Sequence, residues 1–238
     1  MKITKINQSK KSINPDEQNL YPSKASRSRV IRFRMIAVFL WLLAIGCEIW
    51  AIVILQKPPI NMTSIIILLA VGLVTVVIGS LLWKKANRIN PASSKEKWKF
   101  FIQNQLGVII SVIAFLPLFI LIFKNENLDK KQKQILASVA GGALVIAGLT
   151  SADFDPPSQE KYLKQSQEVK DLNEGVDYVY WTRSGKSYHL YSECSYINTH
   201  RTHEIFEGTV AQAKELKNIV DLCDRCQSKA KKRKNQEN

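Results

Sequence analysis

Four residues near the carboxyl end have the types and spacing of a single metal site: His189 and Cys194 in the pattern H-x4-C, then Cys223 and Cys226 as C-x2-C. A C-x2-C turn lets two sulfurs point at one ion, and a histidine with a third cysteine completes the tetrahedral set that Zn²⁺ favours. Cys3His reserves no open coordination position, so the chemistry expected of it is structural. A thioredoxin-like redox pair would set the C-x2-C in a βαβ pattern, and none surrounds it. His200 and His203 are alternative ligands to His189, although the surface of a loop is the place expected for them. Cys47, the fourth cysteine, falls in an apolar run and reads as a small buried residue. Paired acids, a G-x-S-x-G elbow and a P-loop are all missing, which points to a non-enzymatic protein.

The elements that must position these ligands are short. Asp177 to Thr182 alternates as a strand, Arg183-Ser184-Gly185-Lys186 has the chemistry of a tight turn, and Ser187 to Tyr191 returns as a second strand carrying His189. Glu204 to Phe206 reads as a third strand. Thr209 then caps a helix through Lys217 that brings the chain back to Cys223. Upstream, Ser158 to Asn173 forms a short charged helix. The polar stretch after Thr150 is too short to bury a large core, so a metal staple suits it.

With those residues in view, a resemblance appears. The run Val179-Tyr180-Trp181-Thr182, Ser184-Gly185-Lys186, Tyr188-His189, Cys194, Gly208-Thr209, Ala213 and Cys223-x2-Cys226 resembles small metal-binding modules at the ends of bacterial nucleases and membrane proteins. Those modules are similar in layout to the N-terminal metal-binding domain of the Ada DNA-repair protein. In the Ada domain the first of four zinc-bound cysteines accepts a methyl group. The matching position here is His189, a much weaker nucleophile than a thiolate, so methyl transfer is not implied. What the resemblance implies is the fold and a basic surface. Arg183, Lys186, His200, Arg201 and Arg225, with the run Lys229 to Lys234 that contains Lys231, Lys232 and Arg233, are its candidate phosphate contacts.

The rest of the chain reads as a device for holding the module at a membrane. Apolar runs at about 35–55, 63–83, 100–123 and 135–152 are each long enough, at roughly 1.5 Å of helix per residue, to cross about 30 Å of hydrocarbon. The fourth run is the weakest, and a re-entrant or surface segment is its alternative. Ser138 with Gly142, and Ala143 with Ala147 and Ser151, have the spacing that lets helices approach closely. The formal net charge is +14. Lys and Arg crowd before the first run, between the second and third and after the fourth, which predicts a cell-membrane protein with both termini cytoplasmic. Free thiolates for zinc also suit a reducing compartment.

The expected architecture is therefore a four-helix transmembrane bundle with a small α+β zinc-binding carboxyl-terminal domain. Residues 1–29 are a disordered basic tail, 30–152 the four helices, 153–176 a linker with a short helix, and 177–238 the module and its basic tail. The expected partners are the lipid bilayer, a nucleic acid or protein bound by the module, and a second copy through the spans. One residue stands apart: Glu48, an acid inside the first span, is a functional-site hypothesis by default. No Lys, Arg, His or Asp lies deep in the other spans to pair with it, so packing is its expected use. A transporter or channel component that uses Glu48, with the zinc module as regulator, is the alternative function.

Overall fold

The computed structural model describes residues 2–5, 24–216, 219 and 221–237. Of the tail read as disordered over 1–29, residues 6–23 lie outside the described residues. The chain divides into two compact units: one holds the long apolar helices, the other the carboxyl-terminal part together with Met1–Arg27 and Arg88–Ser94.

In the first unit, α1 (Lys24–Gln56), α2 (Met62–Ile89), α3 (Lys97–Lys124) and α4 (Lys130–Ser151) are all long and apolar enough to cross a membrane. The helix α1 starts well ahead of its apolar run, because the Arg and Ser residues there are acceptable helix formers and no proline interrupts them. The bundle buries small and polar residues together with large apolar ones such as Phe115 and Leu118, and it exposes many further large apolar residues on its outside. Ala37, Trp41, Ala44, Glu48, Ala51 and Leu55 form the buried face of α1 at alternating three- and four-residue steps, whereas Met35, Phe39, Leu42 and Trp50 point outward with more than half of their surface exposed. Water would not tolerate so large an apolar surface; hydrocarbon does.

Of the two small-residue faces on α4, the one with Ala143, Ala147 and Ser151 is buried and packs on α3, while Ser138 and Gly142 face outward. Close approach is essential there. A Cβ on Gly107 would stand 2.7 Å from Ser80 Oγ and 3.2 Å from Ser151 Cβ. The hydroxyls fill the gap: Ser151 donates to Ser80 over 2.8 Å and Ser111 donates to Ser151 over 3.2 Å. At the end of α4 the Lys84 ammonium donates to the carbonyls of Thr150 and Ala152, which the helix itself leaves without partners.

The second unit is built on α5 (Gln159–Leu172), α6 (Val210–Leu216) and α7 (Asp224–Glu237), with strands β1 (Lys2–Lys5), β2 (Val179–Thr182), β3 (Ser187–Tyr188), β4 (Glu204–Gly208) and β5 (Asp221–Leu222). Three strands make one sheet in the order β1-β4-β2; β3 and β5 make another. The strand β1 was not expected, since it falls in the segment read as a disordered tail. Four residues show no usable period, and the pairing that orders them, parallel to β4, comes from the far end of the chain. Helix α5 matches the expected one: Ser158 caps its start by accepting from Lys161 N–H, and Gly175, at φ +83°, closes its end by donating to the Lys170 carbonyl. Asp177 ties α5 to α6, accepting from the Ser166 hydroxyl and, at 3.0 Å, from Val210 N–H.

The segment Arg88–Ser94 belongs to this unit because α5 grips it. Ala92 bridges to Ser158, and Gln159 donates from its backbone to Ala92 and from its side chain to Pro91. Glu160 accepts from the Ser93 hydroxyl and from both the backbone N–H and the hydroxyl of Ser94. Those bonds, that from Ser93 foremost, hold its carboxyl down at about 2 from an ordinary 4.5. A depressed carboxyl stabilises the fold in full above its unfolded value and loses that contribution as pH falls through the folded one. Replacing Glu160→Gln is therefore predicted to lower the melting temperature at neutral pH, with the gap to wild type closing between about pH 4.5 and 2; thermal melts across that range check it.

Candidate metal centre

Each ligand is delivered by a different local device. The β2–β3 hairpin continues one residue beyond β3, where Tyr180 and His189 exchange both backbone hydrogen bonds at 2.7 Å. That pairing fixes the backbone of His189. Strand β5 runs parallel to β3, pairing Tyr188 with Leu222, and Cys223 N–H then donates to the Tyr188 carbonyl at 2.9 Å. His189 and Cys223 thus leave two neighbouring strands side by side. Cys194 stands in a tight turn, donating to Tyr191 and accepting from Ile197 and Asn198 at 2.9 and 2.8 Å. Cys226 lies in the first turn of α7.

The four donor atoms all lie within 4.8 Å of one another, and all four residues are buried. Cys226 Sγ is 3.7 Å from His189 Nδ1. Bond lengths of about 2.3 Å to sulfur and 2.0–2.1 Å to nitrogen give a tetrahedral S···N edge of about 3.6 Å, so the spacing fits an ion at the centre. The donor set could hold a metal ion such as zinc. All four cysteines of the chain are free thiols.

Burial pushes the His189 imidazole down to about 4, which leaves it neutral and able to ligate. It pushes the Cys226 thiol up to about 12, with Cys194 and Cys223 adding to the rise and a hydrogen bond from Leu190 N–H opposing it. A thiolate is therefore costly here until a cation compensates it. Metal uptake must release protons, and the Leu190 amide and the amino end of α7 remain to support the sulfur as thiolate.

His200 and His203 are exposed and stand outside the four-residue cluster. Among the candidate phosphate contacts, Arg183 and Lys186 are exposed in the β2–β3 turn and Arg201 in the turn before β4. Arg225, Lys231, Lys232 and Arg233 are exposed on α7. The basic stretch expected as a tail is thus a helix. Arg225 donates to Ser195 Oγ at 2.8 Å and lies over Tyr196. One and two turns further on, Lys229 and Arg233 both lie over Tyr191, at 4.5 and 5.2 Å from its ring centre. Lys229 also pairs with Glu193 at 3.6 Å. Lys229, expected with its run as a phosphate contact, stands at i, i+4 spacing from Arg225 and Arg233, which puts the three on one face once the segment is helical.

In comparison with known proteins, no family model, no curated protein and no solved structure matches the chain. None of these comparisons supports the resemblance to the Ada domain.

Stripping metal with a chelator, or replacing Cys226→Ser, is predicted to unlock the strand pair beside the site. Hydrogen exchange on the full chain checks this: the Tyr180 and His189 amides, protected in the metal-loaded protein, should exchange at least tenfold faster.

Proposed function

We propose that this chain is a non-enzymatic, multi-pass membrane protein that presents a zinc-held module on the cytosolic side, and that the module recognises nucleic acid through the outer face of α7. The observation that carries this reading is the construction of that face. Arg225, Lys229 and Arg233 rise along one side of the helix, and beneath them lie Tyr191 and Tyr196. Tyr191 is two residues beyond His189, Tyr196 is two beyond Cys194, and Arg225 stands between Cys223 and Cys226. Zinc bound by the four ligands would therefore clamp the cationic helix to the aromatic loop. Tyr196 retains 67% of its surface exposed beside the Arg225 guanidinium, a pairing suited to a base stacked above a phosphate.

Zinc is favoured over other metals by three thiols with one imidazole and by the absence of carboxylate from the donor set. The cytosolic side is supported by the Lys and Arg flanks and the free thiols. The single unit formed by β1, Arg88–Ser94 and the module supports even-numbered crossing, since segments of one body share one side. Reporter fusions after Ser94 and after Asn238 are predicted to report the same compartment, and one after Asn127 the opposite one.

Binding is tested by salt titration of the full chain in detergent with single-stranded and duplex oligonucleotides. Each phosphate contact contributes about −0.7 to −0.9 to the log–log slope. The triple change Arg225→Ala, Lys229→Ala and Arg233→Ala should reduce the slope by about 2 to 3 units, and chelation should weaken binding likewise. Absence of association at low salt would overturn the reading and assign the face to a protein partner.

A further inference from the structure

Glu48 is the remaining group with chemistry that the module does not use. It is only 5% exposed, at a core position of α1 between Ala44 and Ala51. Its Oε1 accepts from the backbone N–H of Leu118 on α3 at 2.8 Å. Leu118 directly follows Pro117, the proline inside that helix. A proline has no N–H and crowds the carbonyl four residues back, so the helix is weakest at this turn, and a side chain from a neighbour steps in to serve its amide. The second oxygen, Oε2, is buried without a partner.

No cation answers that oxygen. Among the described residues, the buried polar side chains that the other helices contribute to the bundle are Thr75, Ser80 and Asn87 on α2, Asn104 and Ser111 on α3, and Ser151 on α4, all of them neutral. Arg34, on the same helix as Glu48, binds Asn87 and lies over Trp83. It stands fourteen residues from Glu48, or about 21 Å along the axis. A metal cation would need several oxygen ligands at one point, whereas Glu48 meets an amide donor. An unpaired carboxylate in such surroundings is among the most costly groups a bundle can hold.

We infer that Glu48 is a proton-binding site in the core of the bundle: Oε2 carries the proton while Oε1 holds the Leu118 amide at the Pro117 turn. The proton is thereby a ligand of the α1–α3 contact. Its loss would leave a bare charge between packed apolar helices and drive α1 off the weak turn of α3. The site is one at which proton occupancy is coupled to helix packing. The inference rests on the reading of α1–α4 as membrane spans and is independent of what the module binds.

Infrared difference spectroscopy of the full chain in lipid bilayers at neutral pH tests it. The wild type minus Glu48→Gln spectrum should contain the C=O stretch of a protonated carboxyl, and Glu48→Asp should shift that band and keep it, which secures the assignment should the Gln variant fail to assemble. Carboxylate stretches in place of that band would overturn the inference. Thermal melting supplies a second readout. Glu48→Gln, whose carbonyl can take the same amide, should melt with the wild type, and Glu48→Leu should melt lower. Equal losses in both variants would also overturn it.

Discussion

A small module with donor atoms in its core must find something for those atoms to bind. Cys194, Cys223 and Cys226 belong to a buried cluster whose apolar members include Val179, Trp181, Tyr188, Ile197 and Ile205, and His189 is buried beside them. Thiols and an imidazole at that position gain little from burial and make only weak hydrogen bonds with one another. A shared divalent cation would convert them from a defect into the strongest interaction of the unit. The hairpin, the parallel β3–β5 pair, the turn at Cys194 and the start of α7 all end on this point, and each is too short to persist alone.

The ligands were legible in the sequence because their spacing is local chemistry: C-x2-C and H-x4-C announce themselves without reference to the fold. The β2–β3 hairpin, α5 and the four long helices were legible for a similar reason, through turn residues, caps and sustained apolar runs. Strand β5 and its pairing with β3 were not, because two residues carry no period and the parallel partnership joins segments far apart in the chain. Helix α7 was concealed by its composition. Among the described residues its inward face shows only Cys226 and Ala230 as buried, so a run of Lys and Arg read as a solvated tail although each residue favours helix. Glu48 was visible as an anomaly, but its partner is a backbone amide, which no side-chain pattern encodes.

The bundle follows the opposite rule from the module. Small and polar residues such as Ala44, Ser80, Asn104 and Ser111 share its interior with Trp41, Ile65, Phe115 and Leu118, while many large apolar groups, Phe39 and Trp50 among them, face outward. Association of its helices depends on close backbone approach and on hydroxyl bonds such as Ser111 to Ser151 and Ser151 to Ser80. One chain thus contains two solutions to folding: a compact body gathered around a donor set that could hold an ion, and a bundle whose helices approach closely at small residues.

The parallel pairing of β1 with β4 joins the first residues of the chain to a strand some two hundred positions later. Synthesis makes β1 before the four long helices and β4 after them. All four long helices must leave the ribosome and be placed before the sheet can form, so β1 must wait through their insertion with its hydrogen-bonding edge unpaired. The sheet is then a late event, and its completion marks the arrival of β1 and β4 at the same place.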